Sequence, residues 1–255
     1  MNQSPERQSS QLRAFSSLAL LEGSLPTPAE NLACDEALLD TAESGAGPAV
    51  LRFWESDKHF VVLGYAGRVA QEVNLVECET ARIPVLRRCS GGGTVLQGPG
   101  SLNYSIILPI EETGPTGSIT RANQFVMECN RAALASLLKQ EVRVEGHTDL
   151  AIGGLKFSGN AQRRRRRWLL FHGTILCGLD LRLVERLLPP PPRQPEYRQQ
   201  RRHSEFLTQL SVERQQIKAA LRDAWMAQPQ PIEPPWNAIQ SLVSEKYSKP
   251  EWDLR

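Results

Sequence analysis

Between residues 83 and 109, three runs rich in branched and aromatic side chains follow one another: IPVLRR (83–88), TVLQ (94–97) and LNYSIILP (102–109). Only the glycine-rich segments CSGGG (89–93) and GPG (98–100) separate them. Runs this short with this composition suit strands, and the glycines mark turns. Adjacent runs with such short connections favour a mostly antiparallel sheet, because a parallel pair needs a long crossover. VLRFW (50–54), FVVLG (60–64), DLAIGG (149–154) and WLLFHGTILC (168–177) extend the strand pattern along the chain.

Helical signals lie between these runs. Thr27-Pro28-Ala29-Glu30 has the order of a capping box with proline at the first helical position. The helix it predicts carries Leu32, Cys34, Ala37, Leu38 and Ala42 and ends near Ser44-Gly45. A short helix is expected over 72–81. A long one is expected over 120–139, with Phe125, Cys129, Ala132, Ala133 and Leu137 on one face. Two more are expected, over 180–188, stopped by Pro189–Pro192, and over 211–225. The fold class implied is α+β: a mostly antiparallel or mixed sheet with helices packed on one side.

The polar segment MNQSPERQSSQLR leads into the first strand, so residues 1–24 are expected to be a disordered lead, 25–226 one catalytic domain and 227–255 an irregular tail. The start has no apolar signal core, and no apolar run approaches the ~20 residues of a membrane span, so a cytoplasmic location is expected. The five cysteines (34, 78, 89, 129, 177) form no CxxC pair and the four histidines no ligand spacing, which argues against a disulfide framework or structural metal. A net charge of +2 does not mark a nucleic-acid binder. Arginines 163–167 are consecutive and Arg193–His203 is a second basic stretch. Both suit solvated loops, or a positive lip for an anionic substrate or acidic partner.

Three segments carry candidate chemistry. Arg87-Arg88-Cys89-Ser90-Gly91-Gly92-Gly93-Thr94-Val95 brings backbone N–H groups within reach of a ligand, and its arginines suit a carboxylate or phosphate. It lacks the lysine of a GxxxxGK loop. In Gly154-Leu155-Lys156-Phe157-Ser158-Gly159-Asn160-Ala161-Gln162-Arg163, a lysine between apolar neighbours precedes what reads as a small-residue turn, which suits an ammonium aimed into a site. In Leu170-Phe171-His172-Gly173-Thr174, His172 taken alone reads first as a satisfied core histidine.

In this order, RRCSGGGTV, HTDLAI, LKFSGNAQ and FHGTIL resemble the motifs of the lipoate-protein ligase A family, within the biotin/lipoate ligase superfamily. NLACDEALLD and LRFWESDKHFVVLG resemble its opening helix and hairpin, so the resemblance spans roughly residues 28–210. It implies an α+β domain like the biotin ligase catalytic domain. It also implies an enzyme that uses ATP, with Mg²⁺ on the phosphates, to convert lipoate or octanoate to an acyl-adenylate. The acyl group then passes to a lysine of a lipoyl domain of a 2-oxoacid dehydrogenase or of the glycine cleavage H protein. Carried over by motif, Lys156 contacts the acyl carbonyl and adjoining phosphate, where a fixed cation stabilises developing charge. Arg88, Ser90, Gly91, Gly92, Gly93 and Thr94 frame the acyl tunnel. Asp149, Ser158, Gly159, Asn160, Ala161 and Arg163 hold the adenylate, with Mg²⁺ expected near Asp149. His172 and Gly173 line the same pocket.

The chain departs from the family pattern at Leu155, Thr148 and Phe171, where arginine, asparagine and a second histidine are usual. The stretch beyond residue 225 is expected to be too short for the full accessory domain of larger single-chain ligases, which some relatives supply as a separate subunit. Octanoyltransferases of the superfamily use a cysteine thioester and octanoyl acyl carrier protein. One branch shares the Gly98-Pro99-Gly100-Ser101-Leu102 run, but its nucleophile position falls here on Pro191; the other has its cysteine where this chain reads VRVEGHTDL. Cys89 and Cys177 match neither. Adenylation is therefore the leading expectation, followed by a carrier-dependent octanoyltransferase and by a noncatalytic acyl- or lipoyl-domain-binding module. Neither nucleic-acid nor membrane binding is expected.

Overall fold

A computed structural model describes residues 18–228 and 232–255. Ten strands occur among them: β1 (Ala19–Glu22), β2 (Val50–Trp54), β3 (Phe60–Leu63), β4 (Val85–Arg87), β5 (Val95–Gln97), β6 (Ser101–Pro109), β7 (Arg143–Glu145), β8 (Asp149–Ile152), β9 (Leu155–Arg164) and β10 (Trp168–Leu176). Five helices frame them: α1 (Pro28–Glu43), α2 (Ile119–Leu138), α3 (Leu181–Leu187), α4 (Arg214–Ala224) and α5 (Trp236–Leu242). Single-turn helices at 69–72, 203–206 and 250–253 and a short one at 75–80 fill connections.

Seven strands form one sheet in the order β1-β2-β6-β10-β9-β8-β7, antiparallel except for the β1–β2 edge pair. The others form a small sheet β4-β3-β5, parallel at β3–β4 and antiparallel at β3–β5. The mixed α+β class therefore holds, but the helices lie on both faces of the large sheet. Strand alternation divides its apolar residues: Leu51, Phe53, Ile106 and Phe171 pack toward α2 and α4, whereas Val50, Ile107 and Leu170 pack toward α1, α5 and the small sheet. Beneath the small sheet, Val61, Leu63 and Leu96 meet Val184 and Leu187 of α3.

Three further expectations change. Residues 19–22, assigned to a disordered lead, form β1, which pairs with β2 and is held by Gln228; the rest of that lead up to residue 17 lies outside the described residues. The tail after 227 is not irregular where it is described: Ile239 and Tyr247 are buried beside α1. The run after Lys156 is no turn. Residues 155–164 form a continuous strand, because β8 and β10 pair with its two edges and satisfy its backbone. The chain turns only at 165–167, inside the arginine run.

Candidate acyl and nucleotide site

Direct pairing across the large sheet lines up side chains in rows on one face. One row is Arg52, Ser105, His172 and Ala161; the next is Trp54, Asn103, Thr174 and Gly159, with Asp149 opposite Gly159. Between these rows, α1, the loop 88–94 and the segment 189–207 lies a cavity of about 720 Å³. Leu32, Trp54, Val62, Leu179 and Val184 supply apolar wall, enough to take a short acyl chain out of water.

Lys156 lines this cavity at its β8–β9 side. Its Nζ lies 2.8 Å from Asp149 Oδ1, and Tyr197 donates its hydroxyl to Asp149 Oδ2 at 2.7 Å. Burial, the Asp149 charge and this hydrogen bond all raise the Tyr197 pKa, so the phenol stays protonated. The lysine backbone is pinned by the Thr208 N–H donating to its carbonyl at 2.8 Å. A cation held by one carboxylate at the rim of an apolar cavity can turn to a substrate oxygen with little desolvation of its own.

A second polar line runs from α1 to the glycine loop. Arg52 donates to Asp35 Oδ1 at 2.6 Å; Asp35 Oδ2 is 3.0 Å from His172 Nδ1; His172 Nε2 is 2.6 Å from Ser90 Oγ. Burial alone would raise the Asp35 carboxyl, but the Arg52 guanidinium and the His172 hydrogen bond hold it below its ordinary value. Ser90 is fully buried and is not part of the cavity wall, so despite its aspartate–histidine backing it is not presented to a substrate. Missed by sequence reasoning, Asp35 and Arg52 carried one signal: charged residues inside otherwise apolar helical and strand runs, which a buried helix or strand tolerates only in pairs.

The arginines do different work from that expected. Arg87 is wholly buried and donates to the carbonyls of Gly64, Gly67, Trp252, Asp253 and Arg255, leaving nothing for an anion. Arg88 donates to the carbonyls of Gly91 at 2.6 Å and Gly93 at 2.8 Å, and burial lowers its pKa to about 10. It therefore folds the loop around itself. Gly92, at φ +86°, makes the turn that an L side chain would strain. In the consecutive run, Arg164 donates to Thr116 O, Arg165 pairs with Asp40 and Glu36, and Arg167 with Glu43. Those contacts tie the 165–167 turn to the acidic side of α1 and use charge that a docking lip would need.

Of the residues singled out in the sequence, the cavity gathers Arg88, Gly92, Gly93, Thr94, Asp149, Lys156, Ser158, Gly159, Asn160, Ala161, His172 and Gly173. Ser90, Gly91 and Arg163 lie outside its wall, Arg163 with its guanidinium 5.4 Å from the Tyr65 ring centre. The Asn160 amide is occupied: it accepts from Tyr104 Oη and donates to Thr148 O at 2.6 Å. Sequence reasoning also passed over Gln97, Asn103 and Thr174, which form a hydrogen-bonded line across the cavity wall. No cysteine lines the cavity, and burial raises every thiol, Cys34 and Cys177 to about 11 and Cys89 and Cys129 to about 12. Among the described residues, no group of three or more His, Cys, Asp or Glu is arranged to hold a metal. No described helix is long and apolar enough to cross a membrane.

The chain is 34% identical over 165 residues to a lipoate-protein ligase A homologue of Aeropyrum pernix, covering 64% of this chain and 59% of that protein. It is 32% identical over 175 residues to the octanoyltransferase LipM of Carboxydothermus hydrogenoformans, covering 63% of this chain and 65% of that one. The match thus spans less than two thirds of either relative. Among solved structures, a lipoate-protein ligase A bound with ATP superposes with a TM-score of 0.77 at 23% identity, over 94% of this chain and 99% of that one. The bipartite lipoate protein ligase of Thermoplasma acidophilum, described with its E2 lipoyl domain, gives 0.78 at 22%, over 94% and 96%. Those likenesses give the fold. The lipoyl protein ligase A/B catalytic domain profile matches residues 27–224, and the chain belongs to that family.

Proposed function

We propose that this chain is a lipoate-protein ligase, which activates octanoate or lipoate with ATP and transfers the acyl group to a lysine of a lipoyl domain. The observation that carries the proposal is Lys156, an ammonium on the wall of a partly apolar cavity that no cysteine lines. In the first step a carboxylate oxygen attacks the α-phosphorus of ATP and pyrophosphate leaves. In the second, the acceptor amine attacks the acyl carbonyl, AMP leaves and the amine gives up a proton. Negative charge grows on the phosphoryl and carbonyl oxygens in turn, and Lys156, released from Asp149, is positioned to stabilise both. Mg²⁺ would accompany the triphosphate and be held mainly by it; once Lys156 turns to the substrate, Asp149 Oδ1 is the oxygen left to reach the ion, while Oδ2 keeps the Tyr197 hydroxyl.

Acyl transfer from octanoyl carrier protein through a thioester is the second reading. It is favoured by the LipM relatives, one of which, from Oceanobacillus iheyensis, matches 91% of this chain at 28% identity. Against it stands the chemistry of the wall: a thioester needs a reachable thiolate, but no cysteine lines the cavity, four of the five thiols are buried, and the half-buried Cys177 thiol is raised to about 11. The two readings separate when apo lipoyl domain is offered either octanoate with Mg-ATP or octanoyl carrier protein. Ligation is expected with the first, with pyrophosphate released, and Lys156→Ala should reduce that release by about 10²-fold or more. Modification only by the carrier protein would overturn the ligase assignment.

A further inference from the structure

The hydrogen bonds around His172 have a direction that its neighbours impose. Asn31 fixes Arg52: the asparagine amide donates to the carbonyls of Leu25 and Thr27, and its Oδ1 accepts from Arg52 Nη2 at 2.7 Å. Arg52 can only donate, so Asp35 Oδ1 accepts its Nη1. Asp35 Oδ2 then faces His172 Nδ1, and a carboxylate oxygen there requires a proton on that nitrogen. At the far end Arg88 Nε donates to Ser90 Oγ at 3.1 Å. The single Ser90 proton, fully buried, has His172 Nε2 at 2.6 Å as its acceptor. Both ends thus demand one tautomer.

We infer that Asp35 and Arg52 are positioning residues for the acyl site, acting by locking neutral His172 as the Nδ1–H tautomer so that its Nε2 accepts from Ser90 and anchors the Arg88-wrapped glycine loop against the large sheet. The inference rests on the proposed acyl-binding role of the cavity for its functional consequence, but not for the tautomer itself. Asp35, His172 and Arg88 of this line all reach the cavity wall, and His172 is the one that belongs to the large sheet and bonds the loop between β4 and β5. Arg88, bonded to Ser90, closes the loop through Gly91 and Gly93. A change of tautomer at His172 is therefore felt at the loop without any change in side-chain volume.

Asp35→Asn isolates the effect. Arg52 still demands an acceptor at Oδ1, so the new amide nitrogen must occupy the Oδ2 position and point its N–H at His172 Nδ1. That forces the proton to Nε2, where it confronts the Ser90 hydroxyl proton and leaves that proton without an acceptor.

The ¹⁵N NMR spectrum of labelled protein, with His172 assigned by loss of its signals in His172→Gln, tests this at the alkaline limit of the titration. Wild type should show a pyrrole-type Nδ1 and a pyridine-type Nε2. Asp35→Asn should exchange them, and octanoate, as the probe, should bind about tenfold more weakly by calorimetry. Ser90→Ala should weaken octanoate binding similarly while the Nδ1–H signature survives, a separation that a general loss of fold would not produce. A wild-type Nε2–H tautomer overturns the inference, even if Asp35→Asn does not fold. An exchanged tautomer with unchanged octanoate binding also overturns it. A wild-type protein that shows the Nδ1–H tautomer but binds no octanoate overturns the acyl-binding reading instead.

Discussion

A Cβ placed on Gly159 would sit 2.8 Å from Lys156 Nζ and 2.9 Å from its Cε, so the absence of a side chain there is what lets the lysine tip fold back toward Asp149. The conflict is with the end of a flexible chain, and the φ of Gly159 is not positive, so Gly159→Ala displaces the ammonium rather than straining the strand. On the proposed ligase reading, octanoyl-adenylate formation should fall by roughly 10²-fold, while the melting temperature stays near that of wild type. Pyrophosphate release and thermal melting measured on one sample check both halves. A fall in both together would mean that the glycine serves β9 and not the lysine. At this scale the sequence singled out Lys156 and His172 as candidates, because their motifs are local, and both line the cavity. It concealed the work of Arg87 and Asp35, whose partners lie 166 and 137 residues away.

Among the elements, α1 was the easiest to place and the hardest to interpret. Its start is written in four residues: Thr27 Oγ1 accepts from the Glu30 N–H at 3.2 Å, and Glu30 accepts from the Thr27 N–H at 2.9 Å. Thr27→Ala should therefore destabilise the protein by about 1 kcal/mol, read from the urea midpoint with an unchanged slope; Thr27→Ser should restore most of it. What the sequence did not announce is that α1 is buried almost all round, with Asn31, Asp35 and Glu36 inside. Each has its answer from another element: Arg52 in β2, His172 in β10, and Lys246 and Tyr247 beyond α5. β9 misled for a related reason. Ser158, Gly159, Asn160 and Ala161 have turn propensity, yet pairing with β8 and β10 on both edges overrides it, and Gly159 leaves room for the Lys156 tip.

For the molecule as a whole, the segment after α5 acts as a clasp between α1 and the strand that leads into the glycine loop. Trp252 Nε1 donates to Arg87 O at 2.9 Å, and Asp253 Oδ1 accepts the Arg87 N–H at 2.9 Å. Burial raises the Asp253 carboxyl from 3.8 to about 6, outweighing the opposing pull of Arg87. The folded chain thus holds this proton more tightly than the unfolded one. The resulting stabilisation is complete below about 3.8 and is lost as pH rises through about 6. Asp253→Asn keeps an oxygen for the Arg87 N–H and mimics the protonated acid at every pH. Relative to wild type, its melting temperature should rise between pH 4 and pH 7 and then level off. A difference that stays constant across that range would show that the carboxylate is accommodated without cost and that the clasp does not respond to pH.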